Sequence, residues 1–336
     1  MFFNINSNKM FLLFILIFST LISISANSWF GCWIGLEINL LSFIPLISNS
    51  NNLLSNEASL KYFLIQSIAS INFLFMILMK LIFMSNFFFN YFFMIMINFS
   101  LFMKMGSVPF HFWFPNVMEG LSWFNGFLLM TWQKISPMIL LSYYFNKNLL
   151  ILIMILNSII GALGGYNQTS LRKLMAFSSI NNLGWMLSTI LISENLWLFY
   201  FLFYSFLIST MCIFFYLFNL LFINQLFIIN FNPMINFFFF TNFLSLGGLP
   251  PFIGFFPKWI VINFLMMNNY FIISFIFIML SLILLFFYIR IIYSSLMFNQ
   301  LKLKWMKIYF KNNNLINFFS LISTLGIIII STFFFF

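Results

Sequence analysis

The chain is poor in the residues from which most enzyme active sites are built. It has 336 residues but no aspartate, four glutamates, two cysteines and a single histidine, His111. An iron–sulfur cluster or a structural zinc takes about four Cys or His ligands, which this composition cannot supply. The two cysteines, Cys32 and Cys212, lie in apolar runs and argue against a disulfide framework. A GxGxxG motif is also absent, so no nucleotide-binding redox domain is predicted.

Charge is scarce and apolar surface is abundant. Only 5% of the residues are charged and 63% are hydrophobic, a balance that no soluble core requires. The formal net charge of +10 is spread between and inside apolar runs, which argues against nucleic acid as a partner. The chain is therefore predicted to be an all-α, polytopic membrane protein. Its bias towards Phe, Ile, Asn, Lys and Met indicates an AT-rich genome, of which some animal mitochondrial genomes are an example.

Apolar runs predict about eleven transmembrane helices joined by short connections rich in Asn and Ser. The amino terminus lacks an arginine-rich transit peptide, and we interpret the first run as an ordinary helix rather than a cleaved signal. The predicted spans are 9–26, 28–48, 57–80, 87–113, 122–145, 148–166, 170–192, 195–221, 235–264, 269–297 and 315–335.

Basic residues near the span ends predict the orientation of the chain. With eleven spans, most of them fall on the side of the amino terminus: Lys9, Lys61, Arg172, Lys173, Arg290, Lys302, Lys304, Lys307 and Lys311. Lys80 and Lys147 fall on the other side. Because basic residues favour the cytoplasmic or matrix face, the amino terminus is predicted to lie on that face.

Two of the predicted spans contain helix-breaking residues. The fourth contains KMGSVPF and the ninth contains GGLPPFIGFFPK. Proline removes a backbone hydrogen bond, and within a membrane the freed carbonyl needs another polar partner. Both spans are therefore predicted to be interrupted, near Gly106–Pro109 and near Leu249–Pro251.

The positions of the breaks also indicate an internal repeat within a single membrane domain, 1–336. If the first five spans form one unit and the next five form another, each unit has its break in its fourth helix. Because five is odd, the two units would insert in opposite orientations, as in transporters built from inverted repeats. The predicted repeats cover 1–145 and 148–297, and a final helix covers 315–335.

Four ionisable residues lie well inside the predicted spans: Glu37, Lys104, Lys134 and Lys258. Charges inside a membrane are costly and usually face a polar interior, so these residues are candidates for a proton relay. The alternatives are a helix-packing ion pair at Glu37 and snorkelling of Lys104 or Lys258 from a helix end. Lys134 is harder to explain by snorkelling because it lies near the middle of its span.

The candidate relay leads to two more specific expectations. Glu37 is predicted to lie near Lys104, in direct contact or one water molecule away, because an unpaired carboxylate at this depth is costly. Lys134 has uncharged polar residues as its near sequence neighbours, and it is predicted to exchange a proton through bridging water.

The remaining ionisable residues outside the basic set have simpler interpretations. His111 follows the first break and is a further candidate for the water path, although a loop-capping histidine would look the same in sequence. Glu57, Glu119 and Glu194 are interpreted as loop or helix-start acids, with Glu57 in the first turn of its helix.

Five stretches of the chain resemble a known family. They are similar to motifs of the antiporter-like membrane subunits of respiratory complex I, the mitochondrial NADH–ubiquinone oxidoreductase. The resemblance covers essentially the whole chain, and the residue bias is similar to that of insect versions. The stretches are WIGLEINLLSFIPL at 33–46, EASLKYFL at 57–64, KMGSVPFHFWFPNVMEG at 104–120, TWQKISP at 131–137 and LSLGGLPPFIGFFPKW at 244–259.

The resemblance implies a role in an H⁺-translocating NADH:ubiquinone reductase. In this family Glu37, Lys104, Lys134 and Lys258 correspond to a hydrophilic axis that carries protons, driven by electron transfer elsewhere. No cofactor is implied in this chain, since NADH, FMN, iron–sulfur clusters and ubiquinone belong to other subunits. The implied location is the mitochondrial inner membrane.

The resemblance also implies partners. Animal members of the family resemble bacterial homologues that have lost three amino-terminal helices, which should leave a groove. Neighbouring antiporter-like and small membrane subunits of complex I are expected to fill it, with lipids such as cardiolipin as further partners.

Two other functions fit the same residues. One is a stand-alone cation/proton antiporter, which shares the fold and would work alone in liposomes. The other is a structural assembly subunit, which would tolerate neutral replacement of Glu37 and Lys134 once assembled.

Overall fold

The chain is a multi-pass helical membrane protein, as the composition predicts. The computed structural model describes residues 7–49, 51–83, 87–228 and 233–297. Over these residues the chain is almost entirely α-helical. Seven of the helices in this described part of the chain are long and apolar enough to cross a membrane. They are Ser7–Ser25, Trp29–Ile47, Leu53–Ile82, Lys147–Gly165, Leu171–Ile192, Glu194–Leu217 and the Phe271–Tyr293 part of the last described helix.

The helices fall into two compact units, Met1–Ile153 and Met154–Phe336. In the first unit α1 packs on α2, α2 on α3, and α3 on both α4 and α5, while α7 packs on α4. Ser28 and Asn52 cap α2 and α3 by accepting hydrogen bonds from first-turn N–H groups. The helices are α1 Ser7–Ser25, α2 Trp29–Ile47, α3 Leu53–Ile82, α4 Phe87–Met105, α5 Trp113–Gly120, α6 Trp123–Met130, α7 Trp132–Tyr143 and α8 Lys147–Gly165, which contains the boundary between the units.

In the second unit, α9 and α10 pack against each other, and α13 packs on both. Ser193 caps α10 by accepting a hydrogen bond from Leu196 N–H, and Glu194 lies in the first turn as expected for a helix-start acid. The helices are α9 Leu171–Ile192, α10 Glu194–Leu217, α11 Ile223–Ile228, α12 Pro233–Gly247, α13 Phe255–Met267 and α14 Phe271–Met297.

Both predicted helix breaks are confirmed. In the fourth span α4 ends at Met105 and α5 begins at Trp113, and in the ninth span α12 ends at Gly247 and α13 begins at Phe255. One boundary is wrong: the fourth span was expected to end at residue 113, but the residues after it continue as α5. They form a second half-helix that packs on α3.

The half-helices before the two breaks end in the same way. Gly106 and Gly248 adopt left-handed backbone conformations, with φ of 70° and 83°. The N–H group of the following residue reaches back five positions: Ser107 donates to the Phe102 carbonyl at 3.1 Å, and Leu249 donates to the Leu244 carbonyl at 3.3 Å. This Schellman arrangement needs a residue that tolerates positive φ, which is why glycine stands at both positions.

The fifth predicted span is also interrupted, which the sequence analysis missed. A continuous helix over 122–145 was expected, but α6 ends at Met130 and α7 begins at Trp132. The Thr131 hydroxyl donates to the Phe127 carbonyl at 2.7 Å, a bond of the kind that bends helices. Lys134 therefore lies in the first turn of α7, next to an interruption rather than within an unbroken helix.

Three smaller expectations have other outcomes. Glu57 is not a first-turn residue, because α3 begins at Leu53; its carboxylate pairs with the Lys61 ammonium at 3.6 Å, one turn further on. The short helix α11 occupies part of a predicted connection. The predicted final helix, 315–335, lies outside the described residues.

We predict that Gly254→Ala destabilises the second unit by about 1–3 kcal/mol or more, the range of an overpacked site. A Cβ atom at this position would overlap the Ser245 carbonyl oxygen, so the backbone would have to move. Gly247→Ala is the matched control, because its Cβ would meet nothing closer than 3.5 Å. Thermal unfolding in detergent measures both, and equal midpoints would contradict the prediction.

Candidate functional site

Three of the four intramembrane charges, the lysines, lie at or beside helix interruptions. Lys104 lies in the last turn of α4, Lys134 in the first turn of α7, and Lys258 in the first turn of α13. All three lysines are buried, and Lys134 is only 1% exposed. Glu37 lies within α2 and is partly exposed.

Lys104 lines a small polar cavity in the first unit. The cavity is about 10 Å³, roughly the room that one water molecule needs by this measure. Its polar lining comes from four helices of the unit, α2, α3, α4 and α7. The residues that line it are Leu36, Asn39, Leu40, Tyr62, Gln66, Lys104, Gln133, Ser136 and Pro137.

A hydrogen-bond network centred on Gln133 joins three of these helices. The Gln133 amide nitrogen donates to the Asn39 side-chain oxygen at 2.9 Å, and the Tyr62 hydroxyl donates to the Gln133 amide oxygen at 3.4 Å. The Gln66 amide donates to the Lys104 carbonyl at 3.2 Å. This last bond satisfies one of the carbonyls that the end of α4 leaves without a helical partner.

The lining also includes groups that would hold a water molecule. The buried Ser136 hydroxyl has no hydrogen-bond partner among the described residues. Pro137 lies inside α7 and has no N–H, so the Gln133 carbonyl four residues earlier lacks its usual helical donor. A donor and an acceptor are thus available beside a cavity of about one water volume.

Glu37 and Lys104 interact electrostatically, which brings together two of the predicted site residues. In the described part of the chain they do not form an ion pair within 4.0 Å, unlike Glu57 and Lys61. The expected direct contact is therefore not made, and a contact through one water molecule stays a prediction. Glu37 is also not part of the cavity lining, although its neighbour Leu36 is.

Lys134 contacts the second half of the broken helix. Its ammonium lies 5.1 Å from the centre of the Phe114 ring, within the range of a cation–π interaction. Phe114 in turn packs against the Gly106 turn, where a Cβ atom would lie 3.0 Å from it. Through Phe114, the side chain of Lys134 therefore packs near the helix break that follows Lys104.

Lys258 satisfies the end of the other half-helix. Its ammonium donates to the Gly247 carbonyl at 3.0 Å and to the Leu246 carbonyl at 3.4 Å. These are carbonyls of the last turn of α12, which the break leaves without helical donors, and a cation is favourable there. Gly248 makes room for the contact, because a Cβ atom on it would lie 2.9 Å from the Lys258 nitrogen.

A second cavity, about 20 Å³, lies beside Lys258 within the second unit. It is framed by α9, α10, α12 and α13, and the Tyr200 hydroxyl donates across it to the Asn182 side-chain oxygen at 3.0 Å. Its lining residues are Asn182, Tyr200, Tyr204, Leu207, Leu246, Gly254, Pro257 and Lys258.

His111 is buried in the turn between α4 and α5 but is not part of either cavity lining. Its ring lies against Phe112, with centroids 4.2 Å apart. Its role in a water path stays a prediction.

The uncharged polar residues that α3 and α10 place beside the lysines were missed by the sequence analysis. Their signal was spacing: Tyr62 and Gln66, like Tyr200 and Tyr204, are four residues apart and share a helix face within an apolar run. Polar side chains that repeat on one face of a membrane helix point to a hydrated interior.

Comparison with known proteins identifies the family. Residues 26–284 match the family model described as "NADH:quinone oxidoreductase/Mrp antiporter, TM". The chain belongs to this family. Two relatives named NADH-ubiquinone oxidoreductase chain 2 match it over nearly their full length. The Anopheles gambiae protein is 52% identical over 97% of both chains, and the Locusta migratoria protein is 43% identical over 98% of this chain and 97% of its own.

Two solved structures have a similar fold. A chain of respiratory complex I from Thermus thermophilus with bound aureothin aligns with a TM-score of 0.82 at 19% identity, covering 96% of this chain and 78% of that one. A chain of the Mrp complex from Dietzia aligns with a TM-score of 0.73 at 16% identity, covering 83% and 59%. At these identities the likeness concerns the fold alone.

We predict that Gln133→Leu costs about 1–3 kcal/mol of stability, because it leaves buried polar partners on α2 and α3 without this hydrogen bond. Gln168→Leu is the control, since Gln168 is half-buried and its side chain donates to a carbonyl one turn away, Gly164. A double-mutant cycle with Asn39→Leu should give a coupling energy of about 0.5–3 kcal/mol. Strict additivity of the two changes would contradict the network.

Proposed function

We propose that this chain is a proton-translocating core membrane subunit of an NADH:ubiquinone oxidoreductase, respiratory complex I. Protons would move through water and buried Glu and Lys side chains, driven by electron transfer in other subunits. The observation that carries the proposal is the placement of three buried lysines at helix interruptions, two of them lining water-sized cavities. The near full-length match to chain 2 relatives supports the choice of complex.

The arrangement suits proton transfer better than packing. A lysine that only fills space needs no cavity, whereas Lys104 and Lys258 each lie beside room for about one water molecule. In the first unit Glu37 adds a carboxylate within electrostatic range of Lys104. A proton arriving at one such group changes the energy of the charge on the other, which is what a relay requires.

The partners, cofactors and location follow from the same proposal. NADH, FMN, iron–sulfur clusters and ubiquinone would be bound by other subunits. Neighbouring antiporter-like and small membrane subunits, with lipids such as cardiolipin, would cover the outer helix faces. The location would be the mitochondrial inner membrane. The two units would correspond to inverted repeats at 1–145 and 148–297.

The amino terminus would lie on the matrix side. This orientation rests on the assignment of the basic residues to the two membrane faces, and two contacts support that assignment. Lys80 lies 3.9 Å from the centre of the ring of Tyr144, a residue at the end of the fifth predicted span, which like Lys80 falls on the side away from the amino terminus. Arg290 donates to the carbonyl of Tyr166, a residue at the end of the sixth predicted span, which like Arg290 falls on the amino-terminal side.

We predict that Lys134→Ala leaves the complex assembled and lowers proton pumping coupled to NADH oxidation by about tenfold or more. Lys134→Arg should fail as well, because arginine does not release its proton. Lys61→Ala, an exposed lysine of the same unit, is the control and should keep parental rates. Native gels give the amount of complex, and a pH-sensitive dye in sealed vesicles gives pumping. Undiminished pumping by Lys134→Ala would show that this lysine serves only in packing.

We further predict that Glu37→Gln slows pumping several-fold with normal assembly, because the charge that biases Lys104 is removed while the side-chain shape is kept. The matched change is Glu57→Gln, whose side chain is 63% exposed in a surface ion pair. Parental pumping in both variants, at equal amounts of complex, would favour a structural assembly role. Pumping by the purified chain alone in liposomes would favour the antiporter.

A further inference from the structure

The two broken helices present a backbone carbonyl at the same place. Lys104 and Leu246 each lie two residues before the glycine that turns the chain in the left-handed conformation, Gly106 and Gly248 respectively. The last carbonyls of a helix have no N–H donor in the helix itself, and inside a membrane they need another one. Each unit therefore has to supply a donor at this point.

Both units supply the donor from a side chain, but the two side chains differ in charge. In the first unit the Gln66 amide donates to the Lys104 carbonyl at 3.2 Å. In the second unit the Lys258 ammonium donates to the Leu246 carbonyl at 3.4 Å. A neutral amide in the first unit thus occupies the place that a charged ammonium occupies in the second.

The direction of helical side chains explains why the first break needs a donor from another helix. Side chains in a helix lean towards its amino-terminal end, so the Lys104 ammonium extends away from the carbonyls of its own last turn. Lys258 follows its break and lies in the first turn of α13, from which it reaches back to the end of α12. In the first unit, Gln66 on α3 provides what Lys104 cannot.

Gln66 is placed to fix the residue from which the ammonium extends. It lies within α3, which packs along α4, and it is only 4% exposed. Its side chain lines the same cavity as Lys104. A buried amide is costly without a hydrogen-bond partner, so the bond to the Lys104 carbonyl is favoured on both sides. The amide therefore holds the Lys104 backbone at the wall of the cavity.

The neutral donor also makes the first break independent of the charge on its lysine. An amide does not titrate, so the bond from Gln66 persists whether or not Lys104 carries a proton. In the second unit, the ammonium that carries the charge is the same group that binds the helix end. Lys104 can thus gain and lose a proton while its backbone stays in place, within electrostatic range of Glu37.

We propose that Gln66 is a positioning residue for Lys104, whose amide holds the Lys104 carbonyl so that the ammonium stays at the cavity throughout proton transfer. This proposal rests on the proposed function, because the position of Lys104 matters to pumping only if Lys104 handles protons. Gln66 itself does not take up or release a proton.

The test compares Gln66→Met with Gln168→Met in the assembled complex. Methionine is close to glutamine in shape but has no amide donor. Gln168 is the matched control, because its amide also donates to a helix-end carbonyl, that of Gly164 at 3.1 Å, and it lines neither cavity. Gln66→Met should lower dye-detected proton pumping about tenfold at parental amounts of complex, and the control should pump at the parental rate. A 1 Å misplacement can cost about a hundredfold, and water in the cavity can partly replace the amide.

A second comparison separates positioning from a structural role. In the Lys104→Ala background, Gln66→Met should change the remaining pumping by less than about twofold, because a positioning residue acts only through the group that it positions. Equal losses in both backgrounds would overturn the proposal, as would parental pumping by Gln66→Met. If Gln66→Met does not assemble, Gln66→Asn, whose amide is one methylene group shorter, replaces it with the same expected loss. Failure of both variants to assemble would show a structural role and also overturn the proposal.

Lys104→Ala by itself distinguishes this proposal from the proposed function. If Lys104→Ala lowers pumping and Gln66→Met does not, the positioning role is wrong and the function stands. If Lys104→Ala pumps at the parental rate with parental amounts of complex, the role proposed for Lys104 is wrong, and the positioning role is wrong with it.

Discussion

The structure depends on hydrogen-bond acceptors for lysine ammonium groups that are buried in a largely apolar fold. A lysine inside a membrane is costly unless polar groups replace its water. A continuous helix cannot help, because its carbonyls are already bonded. An interrupted helix exposes the carbonyls of its last turn, and Lys258 uses those of Leu246 and Gly247 directly. The break and the buried charge therefore support each other, which explains why glycine, proline and lysine occur together in this chain.

The two units meet this requirement with different chemistry. In the first, side-chain amides surround the cavity beside Lys104, and Glu37 supplies a negative charge within electrostatic range. In the second, the phenol groups of Tyr200 and Tyr204 line the cavity beside Lys258, and this lining contains no acid. The second unit instead offers the Lys258 ammonium the backbone carbonyls of Leu246 and Gly247. A side-chain charge thus faces the lysine in the first unit, and backbone dipoles face it in the second.

Both cavities are close to the size of a single water molecule, which makes them sensitive to small movements. Helix packing around them is tight, as the Gly254–Ser245 approach illustrates. Displacement of one side chain, such as Gln133 between Asn39 and Tyr62, would open or close the space for a bridging water. Control of proton movement by hydration needs little more than this, because a proton crosses a gap only when a hydrogen-bonded atom fills it.

The sequence by itself determined the class and the two helix breaks that glycine and proline mark. Apolar runs must become membrane helices, and Gly106 and Gly248 beside prolines leave few alternatives to an interruption, because both effects are local. The four intramembrane charges were identifiable for the same reason, since their cost depends mainly on depth. The break at Thr131 was not predicted, because threonine is common in continuous helices and only its bond to the Phe127 carbonyl reveals the bend. The tertiary structure alone decided which neutral groups surround each lysine. Gln133, Asn39 and Tyr62 come from three helices distant in sequence, and hydrogen bonds between them depend on how those helices pack.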